Sequence, residues 1–269
     1  MSKAVLTEYD LDAAKLTRPL TVALVADLHE RPADDILALL RQAKPDVIAI
    51  AGDTLERCGD REQNYTKQLP AARRLLLAFT RGVNRVLRFL FMRNNHPDTE
   101  CAYRFLRGAS EICPVYMALG NHEDRLVGQD YRTIAELGVH LLDNADGCLT
   151  LNGQKVRVGG LSSQFSERWL KRFSRKDGYK ILLCHHPEYY DSVLTGANVD
   201  LVLSGHNHGG QLRLFGKGLI SSTAGLFPKY DKGVYDNRLV VSAGCSNTAA
   251  VPRIHNPREA VIIRLHPTD

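Results

Sequence analysis

Short apolar runs, each stopped by glycine or by a polar cluster, set the rhythm of this chain. Residues 20–26 (LTVALVA) are an apolar, β-branched run of strand length that stops at Asp27-Leu28-His29. From Asp34 to Ala43 the apolar positions Ile36, Leu37, Leu39 and Leu40 recur at helical spacing behind two aspartates, which predicts a helix. Pro45 closes it, and 46–51 (DVIAIA) reads as a second buried strand ending at Gly52-Asp53. Two strands joined through a helix predict parallel neighbours, and so two aspartates at one sheet edge. A third strand is expected at 112–119 (ICPVYMAL), running into Gly120-Asn121-His122-Glu123, with a short helix at 131–137.

The pattern then changes. Strand candidates at 139–142, 148–151 and 155–160 are short, and Asn152-Gly153 is a strong hairpin signal, so this half is expected to be antiparallel or mixed. Residues 162–177 are polar and basic and carry the only tryptophan, Trp169, which predicts a surface helix or loop. Residues 179–184 (YKILLC) form a strand pattern ending in His185-His186-Pro187. The run 199–203 leads into Ser204-Gly205-His206-Asn207-His208-Gly209-Gly210-Gln211. In extended chain His206 and His208 project to one side, and the flanking glycines permit a sharp turn. Alone, this pair is open between a metal site and two surface histidines. Further strands are expected at 218–222, 238–243 and 260–265.

Residues 57–113 carry the weakest pattern. From 70 to 93, six arginines (73, 74, 81, 85, 88 and 93) interleave with apolar residues at helical spacing. One reading is a helix packed on the sheet with a solvated basic face. The other is a basic amphipathic surface resting on anionic lipid.

With 269 residues, 44% of them hydrophobic, the chain can bury one large core. A single domain over 1–269 is expected, with 57–113 a basic helical insertion. A net charge of +5 fits an anionic substrate and gives no specific reason to expect a nucleic-acid partner. The six cysteines show no CxxC spacing and read as reduced, buried small hydrophobes. Residues 1–18 lack an apolar signal core, and no apolar run approaches the ~18 residues of a membrane span. A cytoplasmic protein is expected, with peripheral contact at the inner membrane face through 70–93 left open.

Five strand ends carry Asp27 and His29, Asp53, Asn121 and His122, His185, and His206 and His208. With His186 beside His185, six of the ten histidines fall in these short segments, which scattered structural histidines would not do. Any one aspartate could be a helix cap, but five repeats argue for a site. Carboxylate, amide and imidazole without thiolate suit Mn²⁺, Fe or Zn²⁺. The donors outnumber what one tetrahedral ion needs and suit two ions about 3.5–4 Å apart that share a carboxylate.

The motifs D-x-H, G-D, G-N-H-E, H-x-P and G-H-x-H occur in that order between residues 27 and 211, and the set resembles the calcineurin-like metallophosphoesterase superfamily. The form G-H-N-H-G-G-Q, with Arg253 and Asn256-Pro257 downstream, resembles its bacterial branch of membrane-associated and lipid-sugar pyrophosphate phosphoesterases. The resemblance implies an α/β fold, a four-layer α/β/β/α sandwich of two mixed sheets flanked by helices. It also implies that Asp27, His29, Asp53 and His208 hold one divalent ion and that Asp53, Asn121, His185 and His206 hold a second. Mn²⁺ is the foremost expectation, with Fe, Zn²⁺ and Mg²⁺ as alternatives. A hydroxide bridging the ions would attack phosphorus, with Asp53 spanning them and His122 acting as general acid or phosphate contact. Glu123 would orient the turn, and His186 would lie beside the pocket. His140, His255 and His266 are read as structural or surface residues. The substrate implied is a phosphodiester or pyrophosphate, small or lipid-linked. A cytosolic nucleotide or cyclic-nucleotide phosphodiesterase, a phosphomonoesterase and a non-catalytic scaffold are the alternatives; against the scaffold, every ligand position is filled. Glu30-Arg31-Pro32 and the long basic stretch 57–113 depart from the family pattern.

Overall fold

The computed structural model of the chain describes residues 3–58, 97–221, 225–246 and 253–268. The basic stretch 70–93, read above as an amphipathic helix, lies outside the described residues.

The first sheet is built from the apolar runs of the N-terminal half. It contains β1 (Val5–Asp12), β2 (Leu20–Val25), β3 (Val47–Ala51), β4 (Val115–Ala118) and β5 (Val139–Leu142), completed by β15 (Glu259–His266). Its order is β1-β15-β2-β3-β4-β5, with β2 to β5 mutually parallel as the strand–helix alternation predicts. Helices α1 (Asp34–Ala43), α2 (Thr99–Ser110) and α3 (Gly128–Glu136) accompany it. Asp98 caps α2 by accepting from the Glu100 N–H, and α1 ends where Lys44 turns left-handed.

The second sheet holds β6 (Ala145–Leu151), β7 (Gln154–Leu161), β8 (Tyr179–Cys184), β9 (Leu201–Ser204), β13 (Gly233–Tyr235) and β14 (Leu239–Val241). Its order is β13-β14-β9-β8-β7-β6. The Asn152-Gly153 turn, left-handed at both residues, closes the antiparallel β6–β7 hairpin, whereas β7, β8, β9 and β14 are parallel. Helix α4 (Glu167–Ser174) lies against this sheet, and β10 (Leu212–Leu214), β11 (Lys217–Ser221) and β12 (Gly225–Leu226) form a small separate one.

Strand alternation decides what each face meets. Leu20, Val22 and Leu24 of β2 share a core with Ile181 and Leu183 of β8 and Leu201 and Leu203 of β9. Ala23 and Val25 point the other way, into a core with Ile36 and Leu40 of α1 and Phe105 of α2. Leu182 of β8 packs with Trp169 and Phe173 of α4. The layers are therefore helices, sheet, sheet and helices, the expected four-layer order. No helix among the described residues is long and apolar enough to cross a membrane.

Three expectations change. The first strand, β1, carries no clear apolar signal and is found pairing in parallel with β15. The 162–177 segment is not merely superficial: α4 buries Trp169, Leu170 and Phe173, because its apolar positions all fall on one face. Of the six free cysteines, Cys101, Cys184 and Cys245 are buried as expected, but Cys58 and Cys148 are exposed.

Candidate metal centre

Parallel strands in both sheets present their C-terminal ends to one shared edge, and backbone contacts tie the ends together. The Asp27 N–H donates to the Gly52 carbonyl (3.1 Å), His29 N–H to the Asp53 carbonyl (2.9 Å) and Gly205 N–H to the His185 carbonyl (3.2 Å). Across the sheets, His185 Nδ1 donates to the Ala51 carbonyl (2.8 Å), and the His206 N–H lies 3.2 Å from each Asp27 carboxylate oxygen. At each of these ends the chain must turn sharply to throw a side chain inward. Asp27, His29, Asp53, His206 and His208 accordingly hold left-handed backbones (φ 49–72°), a conformation that costs on the order of 1 kcal/mol or more per residue and survives where packing imposes it. Gly52 serves the same purpose: at φ +87° a side chain there would begin 2.7 Å from Gly120 N and 2.9 Å from His185 Nδ1.

These turns gather two groups of donors whose ligand atoms lie within 4.8 Å of one another: Asp27, His29 and His208, and Asp53, His185 and His206. Asp53 Oδ2 stands between them, 3.7 Å from His29 Nε2 and 3.1 Å from His185 Nε2. Asp27 Oδ1 is 3.9 Å from His29 Nε2 and 3.7 Å from His208 Nε2. Asp27, Asp53, His29, His185 and His208 are buried, while His206, Asn121 and His122 are partly open.

Hydrogen bonding fixes which nitrogens face inward. His29 Nδ1 lies 2.8 Å from Glu56 Oε1, and a carboxylate only accepts, so Nδ1 carries the proton. That leaves Nε2 as the nitrogen available to a metal; it faces two carboxylates and is buried without a hydrogen-bond partner, as is Asn121 Oδ1. Acceptor atoms converging in a dry space call for a cation among them. The His185 Nδ1–H is spent on Ala51, and its Nε2 meets Asp53. Burial works against charge on His185, but Asp53 lifts its imidazole to about 9. Burial, reinforced by His186 and His185, drives His206 well below the usual histidine range. Burial takes His208 to about 4. Burial also opposes ionisation of Asp53, yet His185 and His122 hold its carboxyl well below the carboxylate range. Burial keeps His206 and His208 neutral, and a cation bound beside His185 would displace its Nε2 proton; with an ionised aspartate and an amide oxygen, this set fits one or two divalent cations.

Two carboxylates brace the centre. Glu56 was not singled out in the sequence, where it is one polar residue in a polar loop; its only signal is its place three residues after Asp53. Its second oxygen accepts from His122 Nδ1 (2.8 Å), so one carboxylate aligns both imidazoles. Although burial pushes Glu56 upward, the His122 and His29 hydrogen bonds hold its carboxyl well below the carboxylate range. Glu123, expected to orient its turn, is buried and accepts four backbone N–H groups, from Asp53 (2.9 Å), Thr54 (2.6 Å), Leu55 (2.9 Å) and Gly120 (2.7 Å). Burial and the nearby Asp53 push its carboxyl upward, but both oxygens are filled by donors, so it remains a carboxylate.

The other sequence-flagged residues fall around this core. His122 keeps a 28% exposed side chain with Nε2 3.9 Å from Asp53 Oδ2, and Cys58 Sγ lies 2.9 Å from its Nδ1. Burial disfavours charge there, yet Asp53, Cys58 and Glu56 raise His122 to about 12. His186 pairs with Glu188 (3.1 Å) and Ser163 (3.2 Å) and sits with its ring 4.3 Å from that of His206, beside the donor groups. Glu30 turns away to an ion pair with Arg57 (2.7 Å), so this departure from the family pattern buttresses a loop. Asn256 Nδ2 donates to the His208 carbonyl (2.7 Å), and Arg253 Nη2 donates to the Ala243 and Ser246 carbonyls (2.6 Å each), bracing the His208 turn. His140 and His255 are exposed, as is His266, which pairs with Asp10 (2.6 Å). A cavity of about 540 Å³ lined by Tyr116, Tyr131, His140 and Cys148 lies apart from these donors and is not this site.

A two-sheet α/β sandwich with carboxylate and histidine groups at one edge can hold metal for hydrolysis, and a family-signature match makes the chain a metal-dependent phosphoester hydrolase. The calcineurin-like phosphoesterase family signature matches residues 20–210, and the chain belongs to that family. The chain is 25% identical over 268 residues to the Bacillus subtilis (strain 168) protein YpbG, covering 96% of this chain and 85% of that one. It is 24% identical to a metallophosphoesterase of Helicobacter pylori (strain J99), covering 94% of this chain and 61% of that protein's length. Among solved structures, the Bacillus subtilis calcineurin-like phosphoesterase YfkN aligns at 12% identity and TM-score 0.46, over 84% of this chain and 82% of that one.

Because Glu56 aligns an inward-facing donor, Glu56→Gln is expected to weaken divalent-metal binding by about 10–100-fold. A glutamine offers one accepting oxygen to two imidazole N–H groups. Titration of Mn²⁺ against a competing chelator measures the change.

Proposed function

We propose that the chain is a dimetal phosphoesterase hydrolysing phosphodiester or pyrophosphate bonds, with Mn²⁺ as the resident ion. The observation that supports this most is the pair of three-residue donor groups with Asp53 Oδ2 reaching a histidine of each, at 3.7 Å and 3.1 Å. Asp27, His29, Asp53 and His208 would hold one ion, and Asp53, Asn121, His185 and His206 the other. Divalent ions, when bound, lower the pKa of water and neutralise phosphoryl oxygens.

The chain's own residues complete the chemistry. His122 Nδ1 is committed to Glu56, so Nε2 is the nitrogen that faces substrate. The surrounding carboxylates favour its charged form, and it holds a proton there for the departing oxygen. Partial exposure of His122, against near-complete burial of Asp53 and His29, puts the proton donor at the open side of the centre. Glu56 keeps that imidazole from rotating, and Glu123 keeps the Asp53 and Gly120 turns in register. The net positive charge suits an anionic substrate, small or lipid-linked.

The test is hydrolysis of bis-p-nitrophenyl phosphate by metal-stripped protein with Mn²⁺ restored. Activity should return with metal, and His122→Ala should lower kcat about 100-fold or more with metal content unchanged. Absence of turnover with Mn²⁺, Fe²⁺, Zn²⁺ or Mg²⁺ despite bound ions would overturn the proposal.

A further inference from the structure

The small sheet β10–β12 begins at Leu212, directly after the His206–Gln211 turn and just past the family-matched region that ends at 210. Nine large apolar side chains are exposed among the described residues, and six of them belong here: Leu214, Phe215, Ile220, Leu226, Phe227 and Ile254. Ile254 joins because its backbone bridges Leu212. Phe215 is 96% exposed and Phe227 73%.

Phe215 and Gly216 form the β10–β11 turn, both left-handed (φ 49° and 79°). Turns of this kind favour asparagine or glycine, so a phenylalanine with its ring in water is a poor choice for folding alone. An apolar concentration of this kind on one element marks an interaction surface. Charge indicates the partner. Between Leu212 and Tyr230 the chain carries Arg213, Lys217 and Lys229 and no acidic residue. Asp231 and Asp191, from outside that segment, pair with Arg213 (3.1 Å) and Lys229 (2.7 Å), while Lys217 is exposed beside the tip. An aromatic and aliphatic tip with an exposed lysine beside it and no acidic residue in its own segment matches the boundary between acyl chains and anionic headgroups.

We propose that β10–β12, with Ile254, docks on an anionic phospholipid bilayer, Phe215 and Phe227 entering the acyl region and Lys217 meeting headgroups. Leu212 follows His208 by four residues that turn left-handed at His208, Gly209 and Gly210, so the two lie no more than about 13 Å apart, and docking holds the donor cluster near the headgroup layer. Access to phosphates at that layer rests on the phosphoesterase reading; the docking itself does not.

The test reads the tip directly. In the full chain, Phe215→Trp is mixed at low salt with vesicles of phosphatidylcholine and phosphatidylglycerol, the signal of the buried Trp169 being subtracted. Its emission should shift to the blue and be quenched by acyl-brominated lipid. The double variant Phe215→Ser/Phe227→Ser should lose about tenfold or more in vesicle affinity and still hydrolyse a water-soluble diester like wild type. An unshifted emission overturns the proposal. So does vesicle binding that survives the double variant, as attachment through 70–93 would give. A blue shift that grows with protein concentration without lipid overturns it in favour of a second copy on this surface.

Discussion

Asp53→Asn is expected to lower hydrolysis of bis-p-nitrophenyl phosphate by about 10³-fold or more and to deplete bound metal. The change is nearly isosteric. The amide oxygen can still accept the His122 N–H that now reaches Asp53 Oδ1 at 2.9 Å, so the backbone turn has no reason to open. What disappears is the negative charge at Oδ2, the atom shared by His185 and His29 and 3.9 Å from His122 Nε2. The Asp53, His185 and His206 group loses its only carboxylate, the other group loses the charge 3.7 Å from His29 Nε2, and the amide nitrogen brings donors where acceptors are needed. Metal analysis of the purified variant, beside its kinetics and far-UV circular dichroism, separates this from unfolding. A folded variant that kept two ions and wild-type turnover would refute the bridging role.

Glu123→Ala is expected to cost stability on the order of 3–5 kcal/mol, more than any surface change. The carboxylate is buried and accepts four backbone N–H groups from two segments nearly seventy residues apart in sequence. Alanine leaves all four donors in a cavity. Each buried, unpaired donor costs about 1–3 kcal/mol, and entering water recovers part of the sum. The loss should appear as a lower urea midpoint with little change in slope. Metal affinity should fall with it, because Asp53 rides on the same turn. A loss below about 1 kcal/mol would mean that water alone satisfies these groups.

The strand runs 20–26, 46–51 and 179–184 were legible because both faces of β2, β3 and β8 are buried, so the apolar signal is unbroken. The same continuity hides which face meets a helix and which meets another sheet; the resemblance, not the periodicity, supplied the two-sheet packing. The first strand was illegible for a different reason. VLTEYDLD looks polar, and its acids make sense only beside β15, where Glu8 meets Arg264 (2.5 Å) and Asp10 meets His266 (2.6 Å). The aspartates and histidines at strand ends were visible because the chemistry confines the residue types. Glu56 was not, because a carboxylate that aligns two imidazoles has no sequence pattern beyond its proximity to Asp53. The apolar tip at Phe215 and Phe227 escaped notice because hydrophobic residues in a short strand read as core until burial is known.

The position of β15 between β1 and β2 has a consequence for how the molecule comes into being. A ribosome makes β2, β3 and β4 long before β15, and until then the β2 edge carries open backbone donors and acceptors. The late strand also closes the centre. The Glu259 N–H reaches the Gly244 carbonyl (3.2 Å), Cys245 N–H reaches the Ala26 carbonyl (2.9 Å), and Ser246 Oγ donates to the Asp27 carbonyl (2.8 Å). The aspartate nearest the start of the centre is thus locked by a residue 219 positions further along, and a nascent chain carries these donors before it can shape them into a site.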